Sequence, residues 1–205
     1  MVVGYNFALS KSLQKVKDPD RSCVTTKNHL KIKVMITKTM QKAINKQINA
    51  ELWSAYLYLA MSMDAEAKTL KGIANWFFVQ WLEEQDHARI FQNYMNSIGA
   101  KVILHPIDKV ETGWDDPQEM FKETLKHEKE VTEMINGLVR LAMSEGDFAT
   151  LSRLQWFVDE QVEEEDNARD ILDDFSRAGK DFAAILELDS RLGKREHSTP
   201  EPLSK

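Results

Sequence analysis

Hydrophobic residues recur at alternating steps of three and four along most of the chain, which is the spacing of one face of an α-helix. Glycine- and proline-containing positions interrupt this spacing and divide the chain into separate helices. The predicted helices cover about residues 37–64, 69–97, 117–145, 148–178 and 180–192. Four of them are long enough to build a bundle, and the fifth is a short amphipathic segment.

Capping signals mark both ends of the third helix. Asp116 is followed by Pro117 and Glu119, so an N-cap acid precedes a first-turn proline and a glutamate in the capping-box position. Gly146 is a usual helix stop. Residues 100–116 form a long connection, whereas the connections on either side are short. This order predicts an all-α four-helix bundle whose central connection crosses the length of the bundle.

The core-facing side of each long helix is apolar at both ends and has a glutamate near its middle. The four central glutamates are Glu51, Glu84, Glu128 and Glu164. In the third helix, the predicted face consists of Phe121, Leu125, Glu128, Thr132, Ile135, Val139 and Ala142. A single glutamate on an apolar face is usually an edge residue that reaches water. Four glutamates at matching depth are hard to explain in that way.

Four carboxylates inside one bundle need positively charged partners. Burying a lone carboxylate costs several kcal/mol, and like charges nearby add to that cost. No lysine or arginine lies near them on these four faces, so bound cations are the remaining partner. His87 follows Glu84 by three residues, which places both side chains on one helical face. Carboxylates with one imidazole suit iron, manganese or zinc, and the sequence therefore predicts a metal site.

One acidic segment occurs twice in the chain. The sequence "EEQDHAR" covers residues 83–89, and "EEEDNAR" covers residues 163–169. The repeat indicates an old duplication of a helix pair, with the two copies at equivalent positions of the bundle. The second copy has Asn167 where the first has His87, so the two copies do not supply the same ligands.

Charge is distributed unevenly along the chain, whose net charge is −6. Residues 1–34 contain seven basic and two acidic residues, and residues 193–205 contain three and two, so residues 35–192 carry about −12. An acidic body is a poor partner for nucleic acid and suits a protein that handles cations. No apolar run approaches the roughly 18 residues of a membrane span. The single Cys23 fits a reducing compartment, and we expect a cytoplasmic location.

The pattern places one helical domain at residues 35–192, between two terminal segments. Residues 1–34 are basic, lack a clean period and end before a second methionine, Met35. They are compatible with an organelle transit peptide, but we interpret them as a dispensable arm or an upstream translation artefact. Residues 193–205 are polar and contain proline, which predicts a flexible C-terminal tail.

The positions of the carboxylates resemble those of the ferritin-like carboxylate proteins. More closely, "INAELWSAYLYLAMS", "EEQDHAR", "KHEKEVT" and "LQWFVDEQVEEED" resemble a bacterial non-haem ferritin in order, spacing and loop lengths. The resemblance covers about residues 35–192. It implies an iron-storage ferroxidase that oxidises Fe(II) to Fe(III) with O₂ or peroxide. It also implies a homo-oligomeric cage of 24 subunits that holds the iron as a ferric mineral.

The resemblance further implies an asymmetric two-iron centre within each subunit. Glu51, Glu84 and His87 are expected to hold the first iron. Glu84 is expected to bridge to a second iron, held also by Glu128 and Glu164. Two ferrous ions that share a ligand can deliver two electrons to one O₂ together.

Several further residues match positions of that family. The carboxylates expected at a third iron position are the outward-leaning Glu83, Glu160, Glu163 and Glu164. Gln161 is expected close to the second iron. Tyr58 matches a tyrosine of the iron site, a hydrogen-bond partner and candidate electron donor, and Trp156 matches a nearby tryptophan; core packing is the alternative role of both. Gln85 stands where bacterioferritins usually have a haem-ligating methionine, so no haem is expected.

Two other classes of function remain open at this point. The first is a two-metal oxidoreductase of the same fold that makes no mineral. The second is a metal-free helical scaffold. The crossover length, the fifth helix and Asn167 favour storage over the first alternative. Binding of Fe(II) and uptake of O₂ separate a metalloprotein from a scaffold.

Overall fold

The computed structural model describes residues 36–204, so the interpretation of residues 1–34 concerns positions outside the described part of the chain. These residues form helices and no strand. The helices are α1 Lys38–Ala67, α2 Lys71–Ser97, α3 Pro117–Glu145, α4 Phe148–Ala178 and α5 Phe182–Leu192, followed by a 3₁₀ turn at Glu201–Leu203. The predicted all-α architecture with four long helices and a short fifth helix is confirmed. None of the helices described is long and apolar enough to cross a membrane.

Capping residues mark both ends of α3, and a left-handed residue sets the start of α2. Asp116 accepts a hydrogen bond from N of Glu119 at 2.9 Å, as the capping signal predicts. Gly146 has a φ of 64°, a left-handed conformation that closes α3. Thr69 has a φ of 62°, which an α-helix does not contain. For this reason α2 begins at Lys71 rather than at the predicted Thr69.

The apolar core consists of two clusters, one towards each end of the bundle. The first contains side chains such as Ile44 and Ile48 of α1, Phe91 and Met95 of α2, Ile135 of α3, and Leu154 and Phe157 of α4. The second contains side chains such as Tyr58 and Met61 of α1, Ile73 and Phe77 of α2, Phe121 of α3, and Ile171 and Phe175 of α4. The central glutamates predicted from the sequence lie between these clusters along each helix. Apolar packing therefore closes the polar centre from both ends.

The buried face of α3 differs in part from the prediction. The residues buried where others were predicted are Thr124, Val131 and Leu138, and the residues left half-buried are Leu125, Thr132 and Val139. Glu128 is buried as predicted. A period of 3.6 leaves the choice between steps of three and four open at each turn, and contacts with neighbouring helices decide it.

The central connection runs from one core cluster to the other. Near its start, Ala100 packs in the first cluster, and near its end Trp114 packs in the second. Asn45 of α1 holds it on the way, since Asn45 Oδ1 accepts from N of Ile103 at 2.6 Å and Asn45 Nδ2 donates to O of Lys101 at 3.1 Å. The predicted crossing of the bundle's length is confirmed.

Helix α5 docks on the beginning of α2. The carboxylate of Asp189 accepts a hydrogen bond from N of Ile73 at 2.8 Å, which satisfies a free amide in the first turn of α2. A Cβ atom at Gly72 would lie 1.6 Å from the carbonyl oxygen of Asp189. Only glycine permits this approach of the two backbones.

The C-terminal tail follows the surface of α2 instead of extending freely. Its composition predicts flexibility over residues 193–205, but the described residues have defined partners. Asn75 Nδ2 donates to O of Arg195 at 2.9 Å, and His197 Nε2 lies 3.0 Å from Asp86 Oδ2. Leu203 packs against the first core cluster. Composition does not show these contacts, because they depend on polar groups that α2 presents to the tail.

Candidate metal centre

The middle of the bundle brings Glu51 of α1 together with Glu84 and His87 of α2. Their side chains are buried, and one potential ligand atom from each lies within 4.8 Å of the others. The spacing of three residues places Glu84 and His87 on one face of α2, where His87 Nδ1 lies 3.3 Å from Glu84 Oε2. The structure thus brings together the three residues predicted for the first iron.

Glu128 of α3 and Glu164 of α4 are buried in the same interior, and polar side chains hold both carboxylates. Tyr58 donates a hydrogen bond to Glu128 Oε1. Gln161 Nε2 donates to Glu128 Oε2 at 3.1 Å, and Gln80 Nε2 donates to Glu164 Oε2 at 2.8 Å. The predicted residues Tyr58 and Gln161 therefore contact one of the two carboxylates predicted for the second iron.

A second group of candidate ligands links the centre to the surface. It consists of His87, Glu160 and Glu164, whose potential ligand atoms also lie within 4.8 Å of one another. His87 Nε2 is 3.7 Å from Glu160 Oε1. Glu83 and the exposed Glu163 line a pocket of about 280 Å³ together with His87 and Glu160. Three of the four carboxylates predicted for a third position thus line this pocket, and the fourth, Glu164, is buried beside Glu160 and His87.

Burial, followed by like charge, raises the pKa of the buried carboxylates. Burial and the charge of Glu84 raise the pKa of Glu51 to about 8. The same two causes raise the pKa of Glu164 to about 8. Burial, Glu84 and Glu164 raise the pKa of Glu128 well above its usual value. These groups therefore bind protons near neutral pH unless a cation replaces the protons.

Two other groups beside these carboxylates, His87 and Tyr58, also have a raised pKa. Burial by itself lowers the pKa of His87, but Glu84 and the interaction with Glu160 outweigh it and raise that pKa well above its usual value. Burial and the charge of Glu128 raise the pKa of Tyr58, so its hydroxyl stays a hydrogen-bond donor. The ring of Trp156 packs edge-on against His87, with 5.5 Å between the ring centroids.

Supporting contacts hold the first group from the side of α1. Gln47 Nε2 donates to Glu51 Oε1 at 3.0 Å. Glu51 Oε2 is buried and has no hydrogen-bond partner among the described residues. Next to the centre, His127 Nε2 lies 2.7 Å from Ser54 Oγ, and burial lowers the pKa of His127. His127 is therefore a buried, neutral neighbour of Glu128.

An arginine that the helical pattern does not indicate reaches the centre from outside the bundle. Arg195 of the C-terminal tail donates to Gln80 Oε1 at 2.7 Å and to Glu83 Oε2 at 2.5 Å. No helical face contains Arg195, so its sequence position carries no signal for this contact. The sequence does indicate Gln80 and Gln47 as neighbours of the centre, because each lies four residues before a central glutamate and so on the same helical face.

The donor set fits a cation that prefers oxygen ligands. Buried glutamates on all four long helices and one imidazole converge, which suits iron and manganese. The unpaired oxygen of Glu51 and its raised pKa mark an acid whose charge is not balanced, because the nearby charge of His87 offsets only part of the effect of burial and Glu84. A divalent cation would supply the missing positive charge and displace the bound protons.

Fold and site together define a ferritin-like helical bundle with a carboxylate-rich interior, and comparisons with known proteins agree. A family model of the ferritin-like domain matches residues 41–178. The chain is 43% identical over 161 residues to a bacterial non-heme ferritin of Bacteroides fragilis (strain 638R), covering 78% of this chain and 100% of that protein. It is 34% identical over 161 residues to the bacterial non-heme ferritin of Staphylococcus aureus (strain USA300), covering 78% and 97%.

Solved structures give the same result. An open pore ferritin from the archaeon Archaeoglobus fulgidus superimposes with a TM-score of 0.78 at 43% sequence identity, covering 78% of this chain and 99% of that chain. A humanized archaeal ferritin superimposes with a TM-score of 0.79 at 43% identity, covering 80% and 99%. The chain belongs to the ferritin family, as its carboxylate positions predicted.

Proposed function

We propose that this chain is a subunit of an iron-storage ferritin with ferroxidase activity. It binds Fe(II) at a two-iron centre inside the bundle, oxidises it with O₂ or peroxide, and passes Fe(III) to a mineral inside a homo-oligomeric cage of 24 subunits. The observation that carries the proposal is the buried group of Glu51, Glu84 and His87, whose ligand atoms lie within 4.8 Å of one another. Membership of the ferritin family and the naming of two relatives as bacterial non-heme ferritins support it.

Each buried carboxylate has a role in this proposal. Glu51, Glu84 and His87 hold the first iron. Glu84 bridges to the second iron, which Glu128 and Glu164 also bind. Support comes from electrostatics, since the charge of Glu84 contributes to the raised pKa of Glu51, Glu128 and Glu164. One residue that influences three others is suited to bridge two cations.

The oxygen-rich ligands favour oxidation, because carboxylates stabilise Fe(III) more than Fe(II). Two Fe(II) ions give one electron each to O₂, which takes up two protons and becomes hydrogen peroxide. Glu51 and Glu164, with a pKa of about 8, hold protons that the incoming iron displaces. Tyr58 keeps Glu128 in place through its hydrogen bond and is a candidate electron donor.

Fe(III) then leaves through the outer carboxylates Glu83, Glu160 and Glu163, which form the third position together with Glu164. This route is supported by a pocket of about 280 Å³, which these three outer carboxylates line together with His87. Apolar side chains on the surface support assembly into an oligomer, and examples are Tyr56, Met63, Phe78 and Phe148, which are 40–77% exposed in the subunit. A cytoplasmic location and the lack of haem stay predictions.

The test compares oxidation of Fe(II) by the unchanged protein, Glu84→Ala and Asn167→Ala. Stopped-flow absorbance and an oxygen electrode follow the reaction after two Fe(II) per subunit are added. We expect Glu84→Ala to keep its helical content and lose the rapid phase, because the bridge between the irons is gone. Asn167 is exposed on α4 one turn after Glu164, so its variant is the matched control and should react normally.

Three outcomes separate this proposal from its alternatives. Rapid oxygen consumption by Glu84→Ala contradicts the assigned bridge. A protein that oxidises Fe(II) but forms no electron-dense particles after repeated iron additions is a two-metal oxidoreductase rather than a storage protein. A protein that neither binds Fe(II) nor consumes O₂ is a scaffold.

A further inference from the structure

Arg195 lies outside the four-helix bundle, yet several contacts with α2 fix its position. Its carbonyl oxygen accepts from Asn75 Nδ2 at 2.9 Å, and its guanidinium carbon lies 4.5 Å from the ring centroid of Trp76. The preceding helix α5 is anchored through Asp189 and the amide of Ile73. The side chain of Arg195 therefore approaches the metal centre from a defined direction.

The guanidinium group of Arg195 ends between Gln80 and Glu83. It donates to Gln80 Oε1 at 2.7 Å and to Glu83 Oε2 at 2.5 Å. Because a guanidinium has only donors, the amide of Gln80 turns its oxygen to Arg195 and its nitrogen to Glu164, to which it donates at 2.8 Å. Arg195 thus sets the orientation of the amide that holds a carboxylate of the proposed second iron position.

Arg195 also brings a permanent positive charge to the outer carboxylates. Within residues 36–204, no other lysine or arginine forms an ion pair with Glu83, Glu160, Glu163 or Glu164. A metal ion that reaches Glu83 must compete with the guanidinium, which already holds one of its oxygens by a charge-assisted hydrogen bond. The two positive charges also repel each other, which weakens binding of the metal ion.

The tail beyond Arg195 forms one wall of the pocket above these carboxylates. His197 lies 3.0 Å from Asp86 and attaches the tail to α2. Residues 198–201 then line the pocket of about 280 Å³ together with Glu83, Glu160 and Glu163. Arg195 and the wall of the pocket therefore belong to one continuous segment of the chain.

We propose that Arg195 is a positioning residue that weakens cation binding at the outer carboxylates, so that the third iron position passes iron on instead of retaining it. The inference rests on the proposed function and deepens it, since it concerns how iron leaves the same centre. The guanidinium competes for Glu83 and supports Gln80 at the same time. Iron that leaves the two buried positions then reaches outer carboxylates whose affinity for iron is lowered by the guanidinium of Arg195.

The test measures Zn²⁺ binding to the full chain by calorimetry, because zinc is not oxidised and separates binding from catalysis. Arg195→Gln removes the charge, and Arg195→Lys retains it. Arg191→Gln is the matched control, since Arg191 pairs with Asp174 at the surface. We expect Arg195→Gln to tighten the weakest class of zinc sites about tenfold, or ~1.4 kcal/mol. The tightest class should not change. Arg191→Gln should bind zinc like the unchanged protein, and Arg195→Lys, which keeps the charge but not the two-pronged contact with Gln80 and Glu83, should tighten the weakest class less than Arg195→Gln does.

A second readout follows Fe(II) through successive additions. After a first saturating pulse, Arg195→Gln should regain rapid oxidation more slowly than the unchanged protein, because ferric product stays at the outer carboxylates. A purely structural role for Arg195 does not predict tighter zinc binding together with slower recovery. A crystal of the unchanged protein soaked in Zn²⁺ should show Arg195 displaced from Glu83 wherever zinc occupies the outer carboxylates.

The outcomes distinguish a failure of this inference from a failure of the proposed function. Unchanged or weaker outer binding in Arg195→Gln overturns the inference, as does Arg195 still bonded to Glu83 beside a bound zinc ion. Absence of zinc from Glu51, Glu84 and His87 in the unchanged protein overturns the proposed function instead. If Arg195→Gln does not fold, the zinc-soaked crystal of the unchanged protein decides.

Discussion

Replacing Glu51 by glutamine removes one charge from the buried centre with little change of shape. The amide oxygen of the new side chain still accepts the hydrogen bond from Gln47. Its amide nitrogen takes the place of Glu51 Oε2, which lacks a partner among the described residues and feels the charge of Glu84. The variant therefore keeps the packing and removes the ionisable group.

The raised pKa of Glu51 sets the size and the sign of the effect on stability. In the folded protein this pKa is about 8, compared with an ordinary value of 4.5. Because the folded state binds the proton more tightly, the contribution of Glu51 is fully present below the ordinary value and is lost as the pH rises through about 8. At ~1.4 kcal/mol per pKa unit, the loss is at most ~5 kcal/mol, since neighbouring carboxylates share the proton.

We expect metal-free Glu51→Gln to melt at a higher temperature than the unchanged protein at pH 8.5, and the difference in melting temperature to be much smaller at pH 5, which lies just above the ordinary pKa of 4.5. If half of the maximal ~5 kcal/mol is realised, the melting temperatures of the two proteins should differ by ~5–10 °C for a chain of this size. Saturating Zn²⁺ should reverse the order at pH 8.5, because a ligand at a hundred times its Kd stabilises the unchanged protein by ~3 kcal/mol. Differential scanning calorimetry with and without a chelator makes the comparison.

The control is Glu133→Gln, which removes the charge of an exposed glutamate on α3 and should change neither melting temperature. If Glu51→Gln melts lower than the unchanged protein at both pH values, the carboxylates do not repel one another as argued. Equal stabilisation of both proteins by zinc contradicts the assignment of Glu51 as a ligand.

Three further predictions follow from the same geometry. Zn²⁺ should bind more tightly at pH 8.5 than at pH 6.5 and release protons, because carboxylates with a raised pKa must lose their protons before they bind the metal. Calorimetry in buffers of different ionisation enthalpy measures the number of protons released. Tyr58→Phe should slow rapid oxidation of Fe(II) about tenfold without unfolding the protein, since Glu128 loses a donor; an unchanged rate in stopped-flow absorbance contradicts this. Gly72→Ala should detach α5, because the new Cβ would overlap O of Asp189, and limited proteolysis should then cleave the C-terminal segment. Gly137→Ala, whose Cβ would meet only a side-chain atom at 4.0 Å, is its control and should resist cleavage.

The sequence by itself was sufficient for the helices and for the depth of the ligands along them. Helical spacing is a local property, so the alternation of apolar steps placed four glutamates, including Glu51 and Glu128, between two apolar ends. Capping is local as well, which is why Asp116 and Gly146 were found at the correct ends of α3. The resemblance to a family then predicted which glutamates share an iron with Glu84, because periodicity alone does not show which helices are neighbours.

Only the tertiary structure decided which face of α3 is buried and which residue outside the bundle reaches the centre. Val131 rather than Thr132 faces the core, because the neighbouring helices select between rotations that the spacing leaves equivalent. Arg195 reaches Glu83 because α5 docks through Asp189 and directs the tail along α2. Such contacts join residues more than a hundred positions apart, and their geometry exists only after the helices have packed.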